Sequence, residues 1–166
     1  MKSEHVEREP SPVLGAADGC PRILIVDDDP AVRALFARFL AEDGYHVTAL
    51  GNYREAWAAV RETTYEVIVM DLSLQDIDGI EAIRNFHSCF PWMKILSVSG
   101  YMAGCVPSLV LSAGATATLG KPATSWQLRA AVYHLLDPAG TCRASRSAEP
   151  QRGRAKLSTL TTSGWS

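Results

Sequence analysis

Four short stretches of the chain end in side chains whose chemistries call for one another. In ILIVDDDPAVR, residues 23–33, four apolar residues run into three aspartates, Asp27, Asp28 and Asp29. VMDL places Asp71 after another apolar run, KILSVSG leaves Ser99 at the end of a third, and LGKP leaves Lys121 at the end of a fourth. Crowded carboxylates repel, and each raises its neighbour's cost of ionisation. A chain that gathers them therefore needs a compensating charge. Oxygen ligands favour Mg²⁺ or Ca²⁺ over zinc, and a small, partly hydrated site suits Mg²⁺. A hydroxyl and an ammonium beside a cation-bound carboxylate can hold three oxygens of a phosphoryl group. Taken singly, an acid at a strand end, a terminal serine or a loop lysine is most often structural. Their joint placement carries the signal.

For these residues to meet, the apolar runs must be neighbouring strands. Apolar, β-rich segments recur with a period of roughly twenty residues, at Ile23–Val26, His46–Leu50, Val67–Met70, Ile95–Val98 and Thr116–Leu119. Helical patterns lie between them. In the first, Val32, Leu35, Phe36, Phe39 and Leu40 follow helical spacing and predict one apolar face. Asp29 suits the cap of this helix, Pro30 its first position and Gly44 its end. Asn52 with Glu55, Asp78 with Glu81, and Thr124 with Gln127 have capping-box spacing. The helix around Val106–Ser112 is the weakest, because Pro107 and flanking glycines oppose it.

Alternating strands and helices predict an α/β fold, a parallel sheet covered on both faces. A common order for five such units is 2-1-3-4-5, the flavodoxin-like doubly wound arrangement, whose switch point lies between strands 1 and 3. That topology sets Asp27 and Asp28 beside Asp71 at the carboxyl edge.

The chain has 166 residues, 47% of them apolar, and a formal net charge of −2. This suits one domain with tails and gives no global reason to expect nucleic acid or a membrane surface. Residues 1–21 and 137–166 are rich in small and polar residues without apolar periodicity and read as flexible tails around a domain at 22–136. The C-terminal one carries five basic and two acidic residues. Cys20, Cys89, Cys105 and Cys142 show no metal-ligand spacing. No apolar run spans a bilayer and the polar start is not a signal peptide, so the expected location is the cytoplasm.

Residues 22–136 resemble the receiver domain of two-component response regulators. The resemblance rests on ILIVDDDPAVR, VMDLSLQDIDGIE, ILSVSGY and GATATLGKP, in order and at the family's spacing. It implies that Asp71 is the phosphoacceptor, that Asp28 is a direct Mg²⁺ ligand and that Asp27 acts mainly through water. It also implies that the main-chain carbonyl of Ser73 completes the protein's share of the metal shell, that Ser99 is a switch hydroxyl and that Lys121 binds phosphate. Ser73 and Tyr101 would flank the path of a hydrolytic water. The implied partners are a sensor histidine kinase or a histidine phosphotransfer protein and a downstream protein, with no direct nucleic-acid binding. Such a domain catalyses its own phosphorylation and dephosphorylation but turns over no separate substrate.

Three departures stand out. Gln75 occupies a place where the family often has proline, so that loop is expected to be less rigid. Thr118 stands where the family usually carries an aromatic switch residue. The residues after 136 are too few for a DNA-binding module of ordinary size. Lys121-Pro122 matches a place where the family has a cis peptide. The stretch DDDPAV also partly resembles the nucleophile motif of haloacid-dehalogenase-type phosphatases. Their late acidic motif has no counterpart, since only Asp137 and Glu149 follow residue 81 as acids. A flavodoxin-like cofactor binder fits the acid cluster poorly, and a non-phosphorylated docking module would not need the full acid, hydroxyl and lysine set.

Overall fold

The computed structural model describes residues 19–100 and 105–137. Nearly all of both expected tails lies outside them. Five units follow in order: β1 Arg22–Val26, α1 Pro30–Glu42, β2 His46–Leu50, α2 Tyr53–Glu62, β3 Val67–Asp71, α3 Gly79–Cys89, β4 Lys94–Ser99, α4 Val106–Ser112, β5 Ala117–Gly120 and α5 Ser125–Leu136. The strands form one parallel sheet in the order β2-β1-β3-β4-β5, as the alternation predicts.

Both faces of the sheet are covered, so β1 and β3 are apolar from Ile23 to Val26 and from Val67 to Met70. Leu24, Val26, Ile68, Met70 and Ile95 point to one side, against α2, α3 and α4. Ile23, Ile25, Val67, Val69, Leu96 and Val98 point to the other, where Phe36 and Leu40 of α1 meet Leu128 and Val132 of α5. Arg129 of α5 donates two hydrogen bonds to the Phe39 carbonyl, in the last turn of α1, and pairs with Glu42. This joins the two helices at their rim. Leu35 departs from the expected apolar face: it is exposed. The sheet covers a narrower stripe of α1 than the spacing alone suggests.

The helix starts follow the sequence closely. Asp29 accepts from the amides of Ala31 and Val32, Asn52 from Glu55, and Asp78 from Ile80 and Glu81. Thr124 and Gln127 form a full capping box. Pro107, the residue that weakened the expectation for α4, stands in its first turn, where no intrahelical amide is missed. The last strand begins one residue later than the pattern predicts. The Thr116 hydroxyl accepts the Ile95 amide, and the Thr116 amide donates to the Ile95 carbonyl at 2.8 Å.

Gly79 shows how closely the segment after β3 is folded back. A Cβ there would lie 2.5 Å from both the Cα and the carbonyl oxygen of Leu72. Helix propensity alone favours alanine at this position by about 1 kcal/mol. Backbone overpacking acts the other way and is larger, so Gly79→Ala is expected to destabilise by about 3 kcal/mol. A urea midpoint equal to or above that of the wild type would show that Leu72 yields easily.

Candidate functional site

The parallel register builds the site. Val26 pairs with Met70 and Ser99 with Gly120, so the residues after β1 and β5 fall in line with the ends of β3 and β4. Asp27, Asp71, Ser99 and Lys121 therefore share the carboxyl edge of the sheet. Strands lie about 4.8 Å apart, which puts β5 two spacings from β3 and three from β1. Only a long side chain can reach back across them. The ammonium of Lys121 does so, donating to Asp27 Oδ2 at 2.7 Å and to Asp71 Oδ2 at 2.6 Å. The Lys121 amide bonds the Ser99 carbonyl at 2.8 Å, which fixes the root of that reach.

The two strand-end acids are oriented in the same way. Asp27 Oδ1 accepts the amide of Asp29 at 2.9 Å, and Asp71 Oδ1 accepts the amide of Ser73 at 3.0 Å. Each carboxylate thus closes a local turn with one oxygen and offers the other to Lys121. Asp28 is half-buried and brings a third carboxylate oxygen, so that all three acids lie within 4.8 Å of one another. Asp29 points away, as the cap of α1. The triplet is therefore divided as the sequence analysis expects, two acids to the pocket and one to the helix.

Electrostatics make this pocket costly. Burial raises the Asp27 carboxyl above its ordinary range, and the charge of Asp71 adds to the effect. Hydrogen bonds from Lys121 and the Asp29 amide only partly offset it. For Lys121, burial acts to lower the ammonium, but its bonds and proximity to Asp27 and Asp71 outweigh this and hold it above the usual amine range. Three acids face one ammonium. The uncompensated negative charge and the all-oxygen donor set fit a hard divalent cation.

Ser99 is buried at the end of β4. Tyr101 lies outside the described residues. Ser97, two residues before Ser99, has a buried hydroxyl with no hydrogen-bond partner among the described residues. The Lys121-Pro122 peptide is cis.

Three residues near the site were not assigned a role from the sequence. Gln75 donates to Asp28 Oδ2 at 2.9 Å. Asp76 accepts the amides of Tyr53 and Arg54, both at 3.2 Å, at the start of α2. Arg33 donates to the Asp27 carbonyl and lies against Gly51, where a Cβ would come within 3.3 Å of the guanidinium. The segment expected to be less rigid for lack of a proline is thus tied on both sides by side-chain bonds. For Gln75 and Asp76 the only advance signal was polar side chains in a loop, SLQDIDG, and loop polarity is too common to single them out.

The family model of the response regulator receiver domain matches residues 23–133. The chain belongs to this family. The receiver is 35% identical over 115 residues to the transcriptional regulatory protein TcrA of Mycobacterium tuberculosis, covering 69% of this chain and 45% of TcrA. It is 32% identical over 82 residues to the response regulator receiver protein CpdR of Brucella abortus, covering 49% of this chain and 68% of CpdR. The chain thus spans less than half the length of TcrA. Among solved structures, a CheY-like receiver domain protein of Methanospirillum hungatei is similar with a TM-score of 0.69 and 31% identity, over 72% of this chain and 95% of that one. A Burkholderia pseudomallei response regulator, solved with a phosphorylated aspartic acid, a calcium ion and citrate, gives a TM-score of 0.64 and 27% identity, over 71% of this chain and 70% of its own. No helix among the described residues is long and apolar enough to cross a membrane.

Lys121 offers a direct test of the charge balance. Its raised pKa means that its stabilising effect is fully present below the ordinary lysine range and is lost as pH rises through the folded value. Lys121→Met removes that effect and leaves the acids facing one another. Breaking a fully buried pair costs about 3–5 kcal/mol; with Lys121 22% exposed, a loss of about 2 kcal/mol at pH 7.5 is expected. The same change raises the Asp27 carboxyl further, so the penalty should shrink as pH falls through that raised value. Urea midpoints of wild type and variant at pH 7.5 and pH 5 check this, and an equal gap at both would contradict it.

Proposed function

We propose that this receiver takes a phosphoryl group onto Asp71 from the phosphohistidine of a sensor histidine kinase or a histidine phosphotransfer protein. The observation that carries the reading is the Lys121 ammonium shared between Asp27 and Asp71 within a group of three carboxylates. The Burkholderia pseudomallei structure, with its phosphorylated aspartic acid and calcium ion, supports the same chemistry in a similar protein.

Asp27, Asp28, Asp71 and the main-chain carbonyl of Ser73 would hold Mg²⁺. When bound, the cation supplies neutralisation of the charge gathered on the transferring group. In the transfer, a carboxylate oxygen of Asp71 forms a bond to phosphorus as the bond to the imidazole nitrogen breaks, and the electron pair leaves with the imidazole. The turn between Asp71 Oδ1 and the Ser73 amide holds the nucleophile in one orientation, so positioning is set before the donor arrives. Lys121 already lies at the outer oxygen of Asp71 and follows the new charge onto the phosphoryl oxygens. Ser99, at the adjacent strand end, is placed to donate its hydroxyl to one of those oxygens and to carry the change into the segment after β4. The outcome is a switched protein-binding surface for a downstream protein.

Incubation with a small phosphodonor and Mg²⁺ should add one phosphoryl group by intact mass, and Asp71→Ala should abolish it. Equal labelling of the two proteins would overturn the assignment. The division of the aspartate triplet is open to a separate check by calorimetric Mg²⁺ titration. Asp28→Ala should lose most of the affinity, whereas Asp29→Ala should keep it and lose about 1 kcal/mol of stability through the cap of α1. The reverse order of Mg²⁺ affinities would show that Asp29 belongs to the pocket.

A further inference from the structure

Among the described residues, Gln75 is the one neutral side-chain donor that reaches into the acid cluster from the segment after β3. Its amide nitrogen lies 2.9 Å from Asp28 Oδ2. Lys121 serves Asp27 and Asp71, so among the side chains described at the pocket it is Gln75 that answers the charge of the third acid. The next residue explains how Gln75 is held within reach. Asp76 is fastened to the start of α2 through the Tyr53 and Arg54 amides, and Asp78 two residues later caps α3. Gln75 thus stands at the head of an anchored segment that spans from β3 to both neighbouring helices.

We infer that Gln75 is a latch on the cation site, a positioning residue that holds Asp28 while the pocket is free of metal and yields it when a divalent cation binds. The inference rests on the reading of Asp27, Asp28 and Asp71 as a cation site. An amide can neutralise only part of a carboxylate's charge, so the cation displaces it. The displaced bond nevertheless counts against binding. The latch therefore stabilises the metal-free protein alone and lowers the apparent affinity by the same factor, because the two effects are linked through one equilibrium. A proline at this position could form no such bond. The Gln75 amide thus sets the cation threshold of this receiver.

The test uses the full chain with Gln75→Ala and Gln75→Leu, the second keeping an apolar stem of similar size without the donor. Mg²⁺ is titrated calorimetrically, and melting is followed in chelator and at saturating MgCl₂. An exposed bond to a charged group is modest, so both variants should bind Mg²⁺ about fivefold more tightly than wild type. Both should melt about 4 °C lower in chelator, with the gap closing at saturating Mg²⁺. A merely structural role would lower melting equally in both conditions, and that result overturns the latch. Unchanged affinity in the variants also overturns it and leaves the cation site standing. Weaker affinity would make Gln75 a ligand instead. If neither wild type nor variants bind Mg²⁺, the latch and the cation site fall together.

Discussion

The repulsion among Asp27, Asp28 and Asp71 is the constraint on which the rest of this molecule turns. Three carboxylates have oxygens within 4.8 Å of one another, two of the residues are nearly fully buried, and one ammonium lies among them. Such a cluster persists only if the fold around it is stable enough to hold it in place. The apolar strands supply that rigidity. β1 and β3 are buried on both faces, and the acids follow directly where those strands stop. The pocket is a stressed edge on an otherwise well-satisfied sheet.

Lys121 shows why the sheet order matters as much as the acids. The lysine directly follows the far strand β5, yet its ammonium must reach the end of β1. A different order would leave the same residues on the same edge without bringing them together. Its bonds to Asp27 and Asp71 tie the first and last units of the chain, so a local electrostatic interaction also closes the domain. Any change in the charge on Asp71 is felt at once by Lys121 and by Asp27. That coupling makes the edge one electrostatic unit rather than a set of separate residues.

The segment after β3 provides the second layer. Gly79 allows it to fold back against Leu72. Gln75, Asp76 and Asp78 then connect it to Asp28, α2 and α3 in turn. An aromatic set, Tyr53, Trp57, Phe86, Phe90 and Trp92, links α2 to α3 and to the residues that follow it. Rings at such separations favour tilted and edge-on packing, which fixes the two helices relative to each other. The segment that follows Asp71 is therefore anchored to both neighbouring helices.

Strand and helix alternation, the helix caps and the row of chemistry at the strand ends were legible in the sequence, because each depends on residues close together in the chain. Asp29 as a cap needed only its neighbours Ala31 and Val32, and the α/β class followed from the spacing of apolar runs. The meeting of Asp27 with Asp71 was legible one step further, once parallel pairing put the ends of β1 and β3 side by side. Tertiary structure decided what depends on distance across the fold. It exposed Leu35 despite its helical spacing, because the sheet covers only part of α1. It left the Ser97 hydroxyl buried without a partner among the described residues, a cost no local pattern announces. It moved the start of β5 past Thr116, which is bonded to Ile95 through both its amide and its hydroxyl. Above all, it brought Gln75 to Asp28 across 47 residues and Asp76 to α2. A polar loop residue has many possible partners, and only the assembled sheet and helices select one.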